Sequence, residues 1–285
     1  MSSVSEPATL QEAAELLSGG SSVSIEREGG DLVLSTRHLN RVLEHEPGDL
    51  TMIVESGLRV SELQAYLATH GQRLSLDPPG DPTIGACLAG DLSGPWRHRF
   101  GSMRDLVIGV TVVLADGTIA SSGGKVVKNV AGYDLGKLFS GSRGRLGLIA
   151  RVALRLHPRP EAETTVVATT DDPRELWGRI QHSQLVPSAV DYLPPNRFAL
   201  LFEGSEAAVE QQAQACPGDR ADNAVWAEGA ARQLAATSRV PFEWGTCSLA
   251  RPGVGIAFTD EESPRTWSPL AERVRAVFDP EGVLA

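Results

Sequence analysis

The amino-acid sequence predicts an α+β fold in two units, and three features of the chain support this. In the first half, helices that begin at capping residues alternate with short apolar strands. Two strands of that half flank a turn at Asp116–Gly117, which indicates a hairpin. Beyond Pro158 and Pro160, strand and helix candidates mix without order, as in a small α+β domain. The 285 residues therefore divide into a first domain, 1–160, and a small cap-like α+β domain, 161–285.

Two helices near the start of the chain are predicted from their N-terminal residues. Thr9 stands three residues before Glu12, the spacing at which each side chain caps the other's backbone amide. A second helix is predicted from Ser61 to His70, and its Ser61 and Gln64 have the same spacing. Both helices are therefore expected to begin with a capping box.

The strands of the first domain are predicted from short apolar runs. Two of them span Asp31–Leu34 and Thr51–Glu55, and two more flank the turn at 116–117. A short helix is expected to close at Gly141, and a later strand places Val152, Leu154 and Leu156 on one face. In the second domain the candidates are strands at 163–169, 197–203 and 254–259, and helices at 173–182, 205–216, 226–237 and 267–278.

Residues 75–105 have a different composition from the rest of the first domain. They hold five glycines and four prolines with little periodicity, yet they carry apolar residues suited to burial. A compact domain rarely contains thirty irregular residues unless they wrap a ligand or an active site. This segment is therefore the predicted ligand-binding region.

Charge argues against two classes of partner. The formal net charge is −10, from 36 acidic and 26 basic residues, and no local basic patch offsets it. An acidic surface repels phosphate backbones and anionic lipid headgroups. We therefore expect no nucleic-acid partner and no membrane-surface partner.

The numbers and spacing of the cysteines and histidines indicate the cellular compartment and whether a metal site is expected. The three cysteines, at positions 87, 216 and 247, form neither a disulfide framework nor a Cys-x-x-Cys pair. The six histidines lack the i, i+4 pairing of a helical metal site. With no secretory signal and no apolar run long enough to span a membrane, the sequence predicts a cytoplasmic protein without a metal site.

Residues 74–160 carry a series of blocks that resemble one family. These are Asp-Pro-Pro at 77–79, Thr-Ile-Gly-Ala at 83–86, Ser-Gly-Pro at 93–95, Gly-Ser-Met-Arg-Asp at 101–105, Gly-Gly-Lys-Val-Val-Lys-Asn-Val-Ala-Gly-Tyr-Asp at 123–134 and Gly-Arg-Leu-Gly at 144–147. In this order the blocks resemble the FAD-binding domain of p-cresol methylhydroxylase and vanillyl-alcohol oxidase (PCMH-type). The resemblance is greatest to the FAD-binding subunit of glycolate oxidase.

The resemblance implies a fold and a cofactor site. The fold would be a two-subdomain PCMH-type FAD-binding fold with a small α+β cap domain, with residues 267–285 packing back on the FAD domain. Backbone amides near the start of a short helix at 83–86 would face the FAD pyrophosphate, because aimed amides neutralise phosphate charge in an acidic protein. The predicted cofactor-binding residues are Pro79, Gly80, Thr83, Ile84, Gly85, Ala86, Ala89, Ser93, Gly94, Gly101, Arg104, Asp105, Gly144, Leu146 and Ile149.

The resemblance also implies partners, while leaving the catalytic residues unknown. A small 2-hydroxy acid would be the substrate, and partner subunits of a hetero-oligomeric oxidase or dehydrogenase are expected. Lys125, Lys128 and Tyr133 lie in the most distinctive block. Lys128 would offset anionic charge and Tyr133 would hydrogen-bond near the flavin ring, although Tyr133 is equally consistent with a half-buried core residue. Likewise, Arg104 and Asp105 are also consistent with a plain surface ion pair.

Three positions depart from the family pattern. Where the family has a glycine-rich phosphate loop, the chain has a short turn that carries Glu26 and Glu28. Ala86 replaces a usual glycine, which would strain the backbone if that residue needs a positive φ, and Asp91 replaces a neutral residue. Two functions from different classes therefore stay open: an FAD-binding oxidoreductase subunit, or a degenerate flavin domain with weak or no FAD binding that acts as a structural or regulatory subunit.

Overall fold

The computed structural model describes residues 3–124, 134–245, 247–263 and 267–285. The predictions for Lys125, Lys128 and Tyr133 lie outside the described residues. Within the described ranges, helices alternate with three antiparallel sheets and one small parallel sheet, so the α+β prediction is confirmed. No helix in these ranges combines the length and apolarity needed to cross a lipid bilayer.

The chain begins with a small parallel sheet and one helix. The sheet has the order β1-β3-β2, with β1 at Ser3–Ser5, β2 at Val23–Ile25 and β3 at Leu32–Leu34. Helix α1 spans Leu10–Leu17, and Thr9 caps it as predicted, because Thr9 Oγ1 accepts from the Glu12 amide at 3.2 Å. The reciprocal half of the predicted capping box is wrong, since the Glu12 carboxylate accepts from the Ala8 amide at 2.8 Å and not from the Thr9 amide.

A five-stranded antiparallel sheet forms the centre of the first half. Its order is β4-β5-β9-β7-β8, with β4 at Val42–Glu46, β5 at Thr51–Glu55, β7 at Val107–Val113, β8 at Ile119–Gly123 and β9 at Leu148–Arg155. A two-stranded ribbon pairs β6 (Gln72–Arg73) with β10 (His157–Pro158). The predicted hairpin about residues 116–117 is therefore the pair β7 and β8.

Short helices cover this sheet: α2 at Val60–Ala68, α3 at Ile84–Gly90, α4 at Arg97–Phe100, α5 at Met103–Leu106 and α6 at Leu135–Phe139. The capping box predicted for the second helix at Ser61 and Gln64 is wrong. Helix α2 begins one residue earlier, where the Glu62 carboxylate accepts from the Arg59 amide at 3.4 Å, while Ser61 Oγ donates to Asp81 at 2.9 Å. An acidic side chain from another segment thus takes the hydroxyl that would have capped the helix.

The second half of the chain forms a seven-stranded antiparallel sheet. Its order is β14-β11-β13-β12-β16-β17-β15, with β11 at Ala162–Thr169, β12 at Ala189–Leu193, β13 at Arg197–Gly204, β14 at Asp219–Ala221, β15 at Ser238–Pro241, β16 at Leu249–Arg251 and β17 at Ile256–Thr259. Its helices are α7 (Pro173–Gln181), α8 (Glu206–Ala215) and α9 (Ala224–Ala235), and a 3₁₀ turn spans Pro252–Val254.

Both faces of this sheet are buried, as the alternation along β13 shows. Phe198, Leu200 and Phe202 point to one side, into a cluster with helix α7, whereas Ala199 points to the other side, into a cluster with Val225 of α9. A strand buried on both faces reads as a continuous apolar run, which accounts for the sequence Phe-Ala-Leu-Leu-Phe.

The last helix, α10 (Pro269–Phe278), returns to the first half of the chain. Val274 and Phe278 pack against its core, with the Phe278 and Phe139 ring centroids 6.0 Å apart. Leu284 is fully buried in the cluster formed around α1. On these contacts we propose a domain boundary at residue 160, with residues 267–285 part of the first unit.

Candidate functional site

A cavity of about 200 Å³ lies where β2, helix α3 and the turn before β9 meet. Five of the predicted cofactor residues line it: Gly85, Ala86, Ala89, Gly144 and Ile149. Other elements complete the wall with Ile25, Glu26, Arg27, Thr36, Ser56, Gly90, Arg143, Gly147 and Leu148. The structure therefore brings a third of the predicted residues to one place.

The small residues of this cavity wall are closely packed. A Cβ atom on Gly85 would lie 2.8 Å from Ser56 Cβ, and one on Gly144, where φ is +78°, would lie 3.2 Å from Ile25 Cβ. Ala86 lies inside helix α3, so its methyl group meets no left-handed backbone. The condition under which Ala86 would strain the backbone, a positive φ, is therefore not met.

The amides at the start of α3 donate within the protein. The Ile84 amide donates to the Leu58 carbonyl at 2.9 Å, and the Gly85 amide donates to the Ser56 carbonyl at 2.7 Å. The Ala86 amide donates to Thr83 Oγ1, the helix cap, at 3.2 Å. These three donors, which were predicted to face phosphate, are used by the protein's own acceptors.

Glu26 lines the same cavity. Its backbone is left-handed, with a φ of 55°, and its carboxylate turns towards Thr36. Glu26 Oε1 accepts hydrogen bonds from both the amide and the hydroxyl of Thr36, the latter at 2.6 Å. Ser35 Oγ lies 3.4 Å from the other carboxylate oxygen. A negative side chain thus occupies two donors of Thr36, next to the turn at which the resemblance predicts a phosphate loop.

Ser56 contributes a polar atom with no partner. Its side chain is fully buried in the cavity wall, and its Oγ has no hydrogen-bond partner among the described residues. A buried hydroxyl without a partner is costly, so it marks a place where a bound group would supply a hydrogen bond. With Ile25 and Ile149 beside it, this part of the cavity suits an apolar, uncharged moiety.

The described residues thus fit FAD only in part. The apolar wall and Ser56 Oγ suit a group such as adenosine, whereas the Glu26 carboxylate does not suit a pyrophosphate. The cavity, at about 200 Å³, is also smaller than the ~300–1,000 Å³ typical of sites that enclose small molecules. For this conformation, no chemical step through the flavin follows from the geometry.

Two further predicted residues, Ser93 and Gly94, pack against the protein itself. The Ser93 carbonyl accepts from Arg251 Nη1 at 3.3 Å and from Gln233 Nε2 at 3.0 Å. A Cβ on Gly94 would lie 1.8 Å from the Asp77 carbonyl oxygen. Side chains from the second half of the chain therefore contact the Ser93 carbonyl, in a segment that was predicted to bind the cofactor.

The remaining predicted residues lie on other surfaces. Asp105 caps its own helix, since its carboxylate accepts from the Ser102 amide at 2.8 Å and from the Ser102 hydroxyl at 3.1 Å, and Arg104 beside it is exposed. Gly101 packs against Asp105, where a Cβ would lie 2.6 Å from Oδ2.

The other positions do not line this cavity either. Gly80 is exposed with a φ of +73°, and Pro79 precedes it on the same loop. Leu146 lines a separate apolar cavity of about 240 Å³ with Trp267 and Val274.

Asp91, the third departure from the family pattern, has a structural role. It adopts a left-handed backbone at the end of α3, a conformation that aspartate tolerates better than most residues. Its Oδ2 accepts from Arg97 and from Arg239, each at 3.1 Å. The carboxylate that replaces a neutral residue therefore links the first half of the chain to β15.

A buried charged cluster joins the two halves of the chain. Arg251 and Asp191 are each 1% exposed, and Arg251 Nε donates to Asp191 Oδ1 at 2.9 Å. Arg251 Nη2 donates to Gln233 at 2.7 Å, while Asp191 Oδ2 has no partner among the described residues. Burial raises the pKa of Asp191, and the Arg251 guanidinium opposes that shift.

Asp77 belongs to the same cluster. Burial raises its pKa from 3.8 to about 7, while Arg251 and the Trp96 amide, which donates to both carboxylate oxygens, lower it. Asp77 also faces a cavity of about 660 Å³ between α2, β6 and residues 159–163. The floor of that cavity is Arg73, which lies 4.3 Å from the Trp96 ring centroid and donates to Glu203 at 2.9 Å.

The elevated pKa of Asp77 predicts a pH-dependent stability. Because the folded state holds the proton up to about pH 7 and the unfolded chain releases it near 3.8, the free energy of unfolding should fall as pH rises between these values. Asp77→Asn should reduce this slope, to which the raised pKa of Asp191 also contributes, and raise the free energy of unfolding at pH 8 by about 1–3 kcal/mol. Urea unfolding at pH 5 and pH 8 measures both.

The matched control is Asp171→Asn, which makes the same substitution at an aspartate that is exposed on a loop. It should leave the pH slope of the wild type unchanged. An Asp77→Asn protein with the wild-type slope would show that Asp77 ionises normally in the folded state.

Sequence reasoning missed several of these residues. The sequence places two carboxylates, Glu26 and Glu28, in a shortened turn. It does not show that Glu26 is the one that accepts from Thr36, because that contact depends on the left-handed backbone at Glu26. Ser56 follows a strand and precedes a glycine, a pattern typical of any turn. The Arg251 and Asp191 pair had no local signal, since 60 residues separate its members.

Comparison with known proteins identifies the domain type. Residues 12–123 match the model of the FAD binding domain family. The glycolate oxidase subunit GlcE of Escherichia coli is 30% identical over 206 residues, which cover 70% of this chain and 59% of that protein. The subunit GlcD of Bacillus subtilis is 35% identical over 171 residues, 58% of this chain and 36% of that protein.

A mitochondrial D-lactate dehydrogenase [cytochrome] of Saccharomyces cerevisiae is 33% identical over 169 residues, and the match covers 58% of this chain and 29% of that enzyme. The chain thus spans at most 59% of these three relatives.

Solved structures support the fold. A structure of alkyldihydroxyacetonephosphate synthase matches with a TM-score of 0.66 at 18% identity, over 81% of this chain and 56% of that chain. A variant of Phl p 4, a glucose dehydrogenase, matches with a TM-score of 0.60 at 16% identity, over 75% of this chain and 48% of that chain. The family match also confirms FAD as the cofactor of this domain type. The chain therefore contains a PCMH-type FAD-binding domain and is related in sequence to glycolate oxidase subunits and D-lactate dehydrogenases.

Proposed function

We propose that this chain is the FAD-binding subunit of a hetero-oligomeric enzyme that oxidises a small 2-hydroxy acid. The observation that carries the proposal is the cavity at which Gly85, Gly144 and the unpartnered Ser56 Oγ meet inside an FAD-binding domain. Two similar proteins are named as glycolate oxidase subunits, which supports a role beside other chains. The redox chemistry in such a protein belongs to the flavin, and the protein positions it.

In this proposal the residues of the chain hold the cofactor. Ile149 and Ile25 would pack on its apolar end, and Ser56 Oγ would hydrogen-bond to it. The cofactor role of the other predicted residues, among them Ser93, Gly94 and Arg104, stays a prediction. The three cysteines are free thiols, which supports the proposal of a reducing, cytoplasmic compartment.

A second function is favoured by two specific observations. The Glu26 carboxylate occupies donors at the expected phosphate position, and Arg251 with Gln233 covers Ser93. Both contacts suit a flavin-type domain that serves a partner assembly as a structural subunit. The two functions differ in one measurable property, which is the occupancy of the site by FAD.

The absorption spectrum of the purified protein tests the proposed function. We expect a yellow protein with the two flavin bands, from which heating releases FAD identified by mass. A protein that is colourless, and that stays so after incubation with excess FAD and gel filtration, would contradict the flavin-binding function and support the structural one. Heat-released extract from an unrelated protein purified in the same way is the control.

A further inference from the structure

We propose that Glu26 is an internal competitor for the phosphate groups of the cofactor, so that a phosphate-bearing ligand enters the cavity only when this carboxylate leaves. The inference rests on the proposed function in one respect, namely that the ligand of this cavity is a dinucleotide. It goes beyond the proposed function because it assigns to Glu26 the control of the ligand's affinity.

The first support is the set of donors that Glu26 uses. The amide and hydroxyl of Thr36 both donate to Glu26 Oε1, and the hydroxyl bond is 2.6 Å long. A phosphate oxygen beside Thr36 would accept from the same two donors. Each donor hydrogen makes one strong bond at a time, so the carboxylate and a phosphate exclude each other there.

The second support is the backbone of the turn. Glu26 has a φ of 55°, a conformation that favours glycine and is uncommon for glutamate. The Glu26 amide donates to the Leu34 carbonyl at 2.9 Å, which fixes this conformation beside β3. The turn therefore holds the carboxylate towards Thr36 instead of leaving it free in solvent.

The third support is the distribution of charge around the cavity. Two cations also line it, Arg27 and Arg143, and the Arg27 guanidinium donates to the Ala285 carbonyl oxygen. Removing the Glu26 charge would leave these cations to favour an anion. The wall away from Glu26 is apolar and carries Ser56 Oγ, so a ligand without phosphate need not disturb the carboxylate.

Binding measurements with four ligands test this inference. Wild type, Glu26→Gln and Glu26→Gly are titrated with FAD, ADP, adenosine and riboflavin by calorimetry. We expect both variants to bind FAD and ADP at least about tenfold more tightly, equivalent to about 1.4 kcal/mol. Affinity for adenosine and riboflavin should not change, because neither ligand carries a phosphate.

Glu28→Gln is the matched control, because Glu28 is an exposed carboxylate two residues along the same turn. It should leave all four affinities at the wild-type values. Glycine suits the positive φ at position 26, so Glu26→Gly should keep its fold, and a circular dichroism melt checks this.

The possible outcomes separate this inference from the proposed function. Tighter ADP binding by the Glu26 variants, with no FAD binding by any protein, would support the competitor and contradict the flavin-binding subunit. If the wild type binds FAD as tightly as Glu26→Gly does, Glu26 is not a competitor, and the proposed function still holds. An equal gain in Glu28→Gln, or no ADP binding by any variant, would also overturn the competitor.

Discussion

Gly94→Ala is expected to yield little folded protein. A Cβ at this position would lie 1.8 Å from the Asp77 carbonyl oxygen and 2.4 Å from Asp77 Oδ1. Gly94 is buried, and the nearest obstacle is backbone, which cannot rotate away. Overpacking in a core costs typically about 1–3 kcal/mol and occasionally more, and a backbone obstacle places this variant at or above the upper end of that range.

Soluble yield and the urea midpoint, followed by circular dichroism, measure the effect of Gly94→Ala. Gly178→Ala is the control, because Gly178 lies within α7 with nothing within 4 Å of an added Cβ. Alanine at this helix-interior position should raise the free energy of unfolding by about 0.5–1 kcal/mol. A Gly94→Ala protein with the wild-type midpoint would mean that residues 77 and 94 are not in contact.

Local sequence signals predicted the elements whose determinants are local. The Thr9 cap of α1, the strand Thr51–Glu55 and the hairpin about Asp116–Gly117 each depend on residues within one element or one turn. The structure reproduces all three. The failure at Ser61 has the opposite cause, since Asp81 comes from twenty residues away.

Strands β12 and β16 had no local signal. Strand β12 reads Ala-Val-Asp-Tyr-Leu, and a charged residue at its centre argues against a fully buried strand. Only the pairing of Asp191 with Arg251 of β16 makes its burial tolerable, and that pairing depends on the folded sheet. A sequence pattern cannot reveal a charge partner that tertiary structure supplies.

For the candidate site too, the sequence predicted residues with a local signal and missed the partners that the fold supplies. The glycine pattern identified Gly85 and Gly144, because a position at which a Cβ would be crowded is occupied by glycine, which the sequence shows directly. The residues that they pack against, Ser56 and Ile25, come from other segments, and no sequence pattern identifies them. The shortened turn indicated a changed phosphate site, whereas the contact between Glu26 and Thr36 required the folded backbone.

Arg251→Met should destabilise the fold by about 3–5 kcal/mol, the cost of leaving a buried charge without its partner. The variant keeps most of the side-chain volume, but it removes the cation that opposes the raised pKa of both Asp77 and Asp191. The pKa of each carboxyl should therefore rise further in the folded state. Since the folded state then binds more protons than the unfolded chain, the loss should be largest near pH 8 and smaller near pH 5.

Asp191→Asn in the Arg251→Met background separates lost charge pairing from lost packing. If the ion pair dominates, the double variant should be more stable than Arg251→Met alone at pH 8, because no charged Asp191 then lies buried without its partner. Urea unfolding of the wild type, both single variants and the double variant gives the coupling free energy. Additive losses that do not depend on pH would show that Arg251 stabilises the junction through its packing on Phe258, whose ring centroid lies 5.1 Å from the guanidinium carbon, and not through its charge.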